Sequence, residues 1–403
     1  MRNILLISPV YPGPGLPKNT TPVVHYFAKE WVRLGYNVRV VTCPSNFPKF
    51  ILEIVKLFHT QLESWLNISI RTEELNECEY DLDGVKVMRL PLKKIVPHAR
   101  YSRKQIEDLT RRIVVWCDNQ GFTPDVAVGH WTTPSIEVLP LLKKQYGVPV
   151  CMTMHDDGAN ISAIYKEDYK QLLADIDIIG YRSCAIKRSF ENRYGHREKS
   201  VYSYSGVPES FIDEKQTERT FRDIKNFIFV GMMISRKYPL AILEALNRST
   251  ISEEFDLIYI GDGVYVNKID SVVSKDHLLH NRVHLLGRID RAEIKKYLSN
   301  SDVFVMISKN ETFGLVYLEA MAMGCIPIAS RNEGFDGIIR DGENGFLCEA
   351  GNVDELTEII DRLRNMSQET LQRMSCNAMH TAREFTDVKV AKRYIEDIAD
   401  IIK

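Results

Sequence analysis

Two glutamates, Glu311 and Glu319, bracket the run N-E-T-F-G-L-V-Y-L-E-A-M-A-M-G-C-I-P-I-A-S at residues 310–330. A strand-like stretch ends at Ser308 and the apolar helical period begins near Phe313, so Glu311 falls in a loop and Glu319 on a helix. Eight residues of helix rise about 12 Å, so these carboxylates cannot share a proton as an acid/base dyad. Something long must lie between them. The helix start between them offers the N–H groups of Gly314, Leu315 and Val316 to a diphosphate. An ionised carboxylate on each side accepts hydrogen bonds from hydroxyl-rich groups, and a nucleoside diphosphate sugar has that layout. Two solvated surface glutamates are the bland alternative, and the surrounding residues argue against it.

The elements that must position this pair follow a pattern of short β-branched runs alternating with amphipathic stretches, the mark of parallel sheets covered by helices on both faces. In the first half strands are expected at Ile4–Ser8, Val38–Thr42, Val85–Arg89, Asp125–Val128, Val148–Thr153 and Ile176–Gly180, with helices at Thr21–Leu34, Arg103–Cys117, Ser135–Tyr146 and Ser183–Tyr194. A second series contains Asn226–Val230, Phe255–Ile260, Val283–Leu286, Val303–Ile307 and Ile326–Ala329 as strands, with Leu315–Met323 as the helix carrying Glu319. Between the series, Y-S-Y-S-G-V-P-E-S-F at 202–211 and the charged stretch 213–223 suit a hinge. The expected domains are 1–205, 206–387 and a last helix, 388–403, that could cross back to the first domain. Open α/β sheets bind ligands beyond the carboxyl ends of their strands, so a ligand is expected between two such domains.

A chain of 403 residues, 44% hydrophobic with net charge -2, has core enough for two domains and no basic excess that points to nucleic acid. The eight cysteines are scattered, without C-x-x-C or His/Cys metal spacing, and read as reduced thiols of a cytoplasmic protein. Only five apolar residues precede Pro9, too few for a signal-peptide core or a spanning helix.

The run around Glu311 and Glu319 resembles the E-x7-E signature of the family 4 retaining glycosyltransferases, and I-G-D-G (260–263), V-H-L-L-G-R-I (283–289), N-S-D-V-F-V (300–305) and D-G-E-N-G-F-L (341–347) extend it in order through the second half. The first half matches more loosely. The resemblance implies a GT-B fold, two Rossmann-like doubly wound domains facing a central cleft. It further implies transfer of a sugar from a nucleotide donor, a UDP-sugar first among candidates, to a glycan or lipid-linked glycan with retention. Closure about the hinge would exclude water.

By that resemblance Glu311 touches donor-sugar hydroxyls, Glu319 holds the ribose, and backbone groups of Phe313, Gly314, Leu315 and Val316 contact sugar and phosphate. The family places an Arg/Lys pair on the diphosphate. Here F-V-G-M-M-I-S-R-K-Y-P puts Lys237 at the Lys position but Met232 at the Arg position, and Arg236 is a candidate replacement. Either cation would stabilise the departing diphosphate, a charge that a metal would otherwise carry. Gly287 and Arg288 are assigned to the nucleotide base, whereas Asp262 between two glycines reads as a turn former. Glu333 stands at a frequent glycine and Gly337 at a frequent glutamate, a departure that could tune the donor sugar.

In the first half, M-T-M-H-D-D-G at 152–158 puts His155 where the family has a histidine near the transferred sugar, with Asp156 and Asp157 as acceptor-side candidates and His130 as another histidine of the kind. A lone histidine is more often a satisfied core or loop residue, and that reading stays beside the functional one. Gly13 and Gly15, in P-V-Y-P-G-P-G after the first strand, resemble the family's glycine loop at donor phosphate or acceptor. The strings Asp81-Leu82-Asp83 and Asp175-Ile176-Asp177 read as structural, and catalysis is expected without metal or cofactor.

The amphipathic residues 48–66 and the basic run 93–112 (Lys93, Lys94, Arg100, Arg103, Lys104, Arg111, Arg112) fit peripheral contact with an anionic membrane on its cytoplasmic face, or equally a core helix and a solvated basic one. Two rivals to a transferase are a GT-B sugar-nucleotide epimerase and a catalytically silent relative that binds nucleotide sugar or a partner glycosyltransferase. Met232 motivates the silent relative, and Lys237, Glu311 and His155 oppose it.

Overall fold

The computed structural model describes residues 1–16, 21–48, 52–53, 73–96, 99–212, 219–221, 223–252 and 254–403. The chain divides into two compact units. One comprises Met1–Arg182, Ile186–Tyr204 and Asp387–Lys403, the other Ser183–Ala185 and Ser205–Thr386. Most of the amphipathic stretch 48–66 and part of the expected hinge lie outside the described residues.

The first unit holds β1 (Asn3–Ser8), β2 (Asn37–Thr42), β3 (Ser45–Asn46), β4 (Cys78–Leu82), β5 (Val85–Arg89), β6 (Leu92–Lys93), β7 (Val126–His130), β8 (Val150–Met154), β9 (Ile178–Tyr181) and β10 (Ser200–Tyr202). Eight of these form one sheet in the order β10-β9-β8-β7-β1-β2-β5-β4, and β3 pairs with β6 apart from it. All sheet pairs are parallel except β4 with β5. β7 and β8 are buried along their whole length, as strands covered on both faces must be. The strand order reverses between β7 and β1, so the loops after these two strands diverge and leave a crevice.

The C-terminal helix Asp387–Ile402 packs on helix Val23–Arg33, where Trp31 Nε1 donates to the Ala391 carbonyl at 2.8 Å. Its Tyr394 is fully buried against Phe27 and Trp31, and its hydroxyl lies 2.6 Å from Thr153 Oγ1 on β8. The last helix is thus part of the first unit's core.

β4 is absent from the sequence reading because its C-E-Y-D-L pattern carries little apolar signal. It forms a hairpin with β5 through Asp83 (φ 52°) and Gly84 (φ 78°), an Asp-Gly turn whose two left-handed residues match strand twist. Both aspartates of this string are engaged: Asp81 accepts from the Gly84 N–H at 2.9 Å, and Asp83 meets His25 at 3.0 Å and Lys29 at 3.1 Å. β9 begins at Ile178 rather than Ile176, so Asp175 and Asp177 stand before the strand, where Asp177 accepts from Lys143 at 2.6 Å and the Val150 N–H at 3.0 Å.

The second unit holds β11 (Asn226–Val230), β12 (Asp256–Ile260), β13 (Val283–Leu285), β14 (Val303–Met306), β15 (Ile326–Ser330) and β16 (Phe346–Cys348), ordered β13-β12-β11-β14-β15-β16 and parallel throughout. Its reversal falls between β11 and β14. The loops after these strands carry Arg236, Lys237 and Glu311. The I-G-D-G glycines have a packing cause, since a Cβ on Gly261 would stand 1.9 Å from the Gly231 carbonyl oxygen. Helices Val353–Arg364 and Gln368–Glu384 complete the unit, the latter packing on helix Leu315–Ala322. Neither was read from the sequence.

Candidate functional site

After β11 the chain makes a short 3-10 turn, Ser235–Lys237, that delivers two cations to one carboxylate. Lys237 Nζ lies 3.1 Å from Glu311 Oε2, and an Arg236 guanidinium nitrogen lies 3.6 Å from the same oxygen. Lys237 is 8% exposed, so it meets Glu311 with little water between them, while Arg236 is half-buried. The Lys309 N–H donates to the Arg236 carbonyl at 2.7 Å, which ties the loop after β11 to the loop after β14. Met232 is 44% exposed, and the cations of this loop come from the two positions 236 and 237.

Gly314 caps helix Leu315–Ala322 with φ 86°, and a Cβ there would lie 2.6 Å from the Tyr317 ring. Its conformation and Tyr317 alone demand glycine, whether or not a ligand passes close by. Phe313 is buried edge-on to Phe335, and Phe335 stacks on Tyr317 at 4.7 Å. Leu315 and Val316 open the helix, where backbone N–H groups precede the intrahelical ladder, while the Tyr317 N–H already donates to the Gly314 carbonyl at 3.0 Å.

Glu333 and Gly334 complete the second wall of this loop, which the sequence reading left as a possible tuning element. Glu333 Oε2 accepts from the Glu311 N–H at 2.8 Å, and burial raises its carboxyl above the usual range, the N–H groups of Glu311 and Asn310 opposing. Gly334 sits so close that a Cβ would stand 2.5 Å from the Glu311 carbonyl oxygen. The signal that could have found this contact is the E-G pair itself, a small residue beside a charged one at a strand end. Gly337 is exposed, at φ 99°.

Glu319 is 5% exposed and bonds Arg291 Nε at 2.7 Å. Burial raises its carboxyl and Arg291 opposes the rise. Arg291, at the start of helix Arg291–Asn300, was missed because nothing in its sequence neighbourhood marks it. Gly287 has φ 68° and its carbonyl accepts from the Gly261 N–H at 2.8 Å, while exposed Arg288 lies 3.8 Å from Asp262. Asp262 also accepts from the Gly263 N–H at 2.7 Å, the behaviour of a turn former.

In the first unit, His155 follows β8 and His130 ends β7. His130 Nδ1 and His155 Nε2 lie 2.9 Å apart, and the His155 ring stacks on Trp131 at 3.7 Å and 11°. Trp131 holds φ 61°, a strained value for a bulky residue. His130 is fully buried, which pushes its imidazolium down to about 3, with the Arg182 charge adding to the shift. His155 is lowered as well, by burial first and then by His130 and Arg182.

Beside this stack a pocket of about 200 Å³ opens at the ends of β1, β7 and β8, lined among others by Pro9, Lys94, Trp131, Thr133, Asp156 and Asn160. Asp156 accepts from the Gly158 N–H at 2.8 Å, and Asp157 from the Ala159 N–H at 3.0 Å and Ser189 at 3.2 Å. Asp156 thus lines the pocket, and Asp157 helps bind its loop to helix Cys184–Tyr194. Gly13 is explained by Tyr80, whose hydroxyl and ring atoms lie 2.4 to 3.0 Å from where a Cβ would stand, and Gly15 by φ 73°. Tyr80 donates to the Pro12 carbonyl at 2.8 Å, so the loop after β1 is folded onto the β4–β5 hairpin.

The basic run is less free than its composition suggests. Arg100 pairs with Glu137 at 2.8 Å and Asp168 at 2.6 Å, Arg103 with Glu107, Arg111 with Asp108, and Arg112 with Glu77. Glu77, Glu137 and Asp168 come from outside the run, which is why counting charges within it misleads. Lys93 remains exposed beside Ile95 and Val96, which are 69% and 59% exposed. Among the described residues no helix is long and apolar enough to cross a membrane, and no group of His, Cys, Asp and Glu could hold a metal ion.

Comparison with known proteins follows the same division. Residues 20–176 match the family described as a glycosyl transferase 4-like domain, and residues 211–381 the family described as glycosyl transferases group 1. The uncharacterized glycosyltransferase MJ1178 of Methanocaldococcus jannaschii is 27% identical over 282 residues, 68% of this chain and 76% of its own. The putative teichuronic acid biosynthesis glycosyltransferase TuaC of Bacillus subtilis is 20% identical over 372 residues, 89% of this chain and 88% of its own. Among solved structures, Alr3699/HepE of Anabaena in complex with UDP superposes with a TM-score of 0.68 at 17% identity, covering 99% of this chain and 100% of that one, which is a likeness of fold.

Proposed function

The chain belongs to the GT-B glycosyltransferases, with a 4-like domain followed by a group 1 domain, and from that premise we propose that it transfers a hexosyl or N-acetylhexosaminyl group with retention. The donor is a nucleotide sugar, a UDP-sugar by preference, and the acceptor a glycan or lipid-linked glycan of a cell-surface polysaccharide. The TuaC likeness and the UDP carried by Alr3699/HepE support these finer choices.

The observation that carries the reading is the convergence of Lys237 and Arg236 on Glu311 beside the start of helix Leu315–Ala322. A diphosphate entering there exchanges one carboxylate partner for its own oxygens, and the two cations meet the charge that grows as it leaves. Glu311, released toward the sugar, accepts from its hydroxyls. Glu319 accepts from the ribose, Gly287 and Arg288 border the base, and His155 serves the transferred sugar. The bond from the anomeric carbon to the phosphate oxygen breaks as the acceptor oxygen bonds that carbon on the same face, and the acceptor proton passes to the departing phosphate oxygen. In this route side-chain cations supply the charge, and no bound metal is required.

The test is turnover of a UDP-sugar panel in EDTA, with the product anomer read by NMR. Retained configuration with activity undiminished by EDTA is expected; an inverted product, or activity that returns only with added metal, contradicts the reading. For the lipid-linked acceptor, the exposed Ile95 and Val96 beside Lys93 are the motive. Cosedimentation with phosphatidylglycerol vesicles should fall in I95S/V96S, and unchanged sedimentation contradicts membrane contact through these residues.

A further inference from the structure

His130 is sealed behind His155. Phe27 stacks on it at 5.9 Å, Tyr394 meets it edge-on at 6.2 Å, and Trp131 lies tilted at 6.4 Å. Its Nδ1 faces His155 Nε2 at 2.9 Å, while its own Nε2 is buried with no hydrogen-bond partner among the described residues. Only one proton can sit in the bond between the two rings, so there are two arrangements. If His155 donates, His130 must carry its proton on Nε2, which buries an N–H with no acceptor, in the field of the cationic Arg182. If His130 donates, Nε2 is left as a bare acceptor, the less costly vacancy in a buried site. The Arg182 charge then favours the lone pair instead of opposing an N–H.

We infer that His130 is a positioning residue that fixes the tautomer of His155: its Nδ1–H donates to His155 Nε2, so His155 carries its own proton on Nδ1. His155 therefore acts toward the transferred sugar as a hydrogen-bond donor and not as a proton acceptor. The role toward sugar rests on the function proposed above; the tautomer does not. Burial and Arg182 keep both rings neutral, so the arrangement persists across the neutral pH range. Stacking on Trp131 fixes the plane of the His155 ring, and the His130 bond fixes its rotation in that plane.

The direct test is long-range proton–nitrogen NMR on the full chain with 15N-histidine, with H155N used to assign the signals. A protonated Nδ1 and an unprotonated Nε2 on His155 are expected, and the opposite pattern overturns the inference. This readout needs no turnover, so an enzyme that fails to transfer sugar leaves it intact. The kinetic arm compares H130F, which keeps the ring shape without a donor, with H130N, whose amide N–H can replace Nδ1–H. The expected loss of kcat in H130F is roughly ten- to a hundredfold, with the donor KM nearly unchanged and most of the loss recovered in H130N. Equal rates for H130F and H130N, or H130F at the wild-type rate, contradict the role. Should H130F fail to fold, the wild-type spectrum decides alone.

Discussion

In the second unit a buried lysine and a half-buried arginine crowd one carboxylate within 3.1 and 3.6 Å, whereas in the first unit two neutral histidines bond each other at 2.9 Å among aromatic rings. Both sites stand where a parallel sheet reverses its strand order, so the folds offer the same kind of crevice. The difference lies in what each crevice is prepared for. The Lys237/Arg236 cluster holds mobile charge that a diphosphate can redistribute. The histidine stack has been stripped of charge by burial and can offer directed N–H groups but no cation. Similar backbone geometry supports different chemistry, because the residues at the strand ends decide it.

The contrast breaks most sharply at Lys237. Lys237→Met should lower kcat by roughly a hundred- to a thousandfold, since the proposed route sets this charge against the departing diphosphate, with Lys237→Arg keeping part of the rate. Steady-state kinetics with the preferred donor checks this, and a change in KM alone would move Lys237 out of the reaction. Arg236 sharpens the same side. Arg236→Ala should cost about tenfold in kcat, and adding Met232→Arg to it should recover part of the loss if a cation from either position serves. No recovery would mean that position 232 does not face the diphosphate.

Gly314 tests the frame instead of the charges. Gly314→Ala should destabilise the second unit by about 1–3 kcal/mol, because φ 86° and the Tyr317 ring both oppose a Cβ. Denaturant unfolding measures it, and a stability equal to wild type would contradict the packing account. A further prediction concerns acid stability. Unfolded histidine titrates at about 6.5, whereas His130 in the fold is pushed down to about 3. Between these values the unfolded chain binds the proton and the native chain does not, so native stability falls as pH falls through that window. H130F removes this group and should flatten the loss of thermal stability from pH 6.5 to 4, with an unchanged slope counting against a neutral buried ring.

Much of this was legible in the sequence where one residue type had one physical reason to be there. The apolar runs gave β1, β11, β14 and β15 nearly to the residue, because buried parallel strands have little freedom in composition, whereas β7 runs two residues further than expected, through Gly129 and His130. Lys237 and Glu311 were legible by spacing and resemblance. What stayed hidden involves partners far apart in the chain: Arg291 beneath Glu319, Glu333 on the Glu311 N–H, and Glu77, Glu137 and Asp168 on the basic run. β4 and β10 were missed because an edge strand need not be apolar, and β16 because three residues between turns carry no period. The glycines teach a related lesson. Gly13 and Gly314 look like ligand-facing residues, yet Tyr80 and Tyr317 already require them.

The central claim, that the second unit binds a nucleotide sugar with Glu319 on the ribose, is tested most directly by thermal shift across UDP-, GDP- and ADP-sugars in EDTA, wild type against Glu319→Ala. The account predicts a selective shift with a UDP-sugar that survives EDTA in the wild type and is lost in the mutant. A shift of the same size in both proteins would contradict the role of Glu319, and no shift with any donor would contradict the site itself.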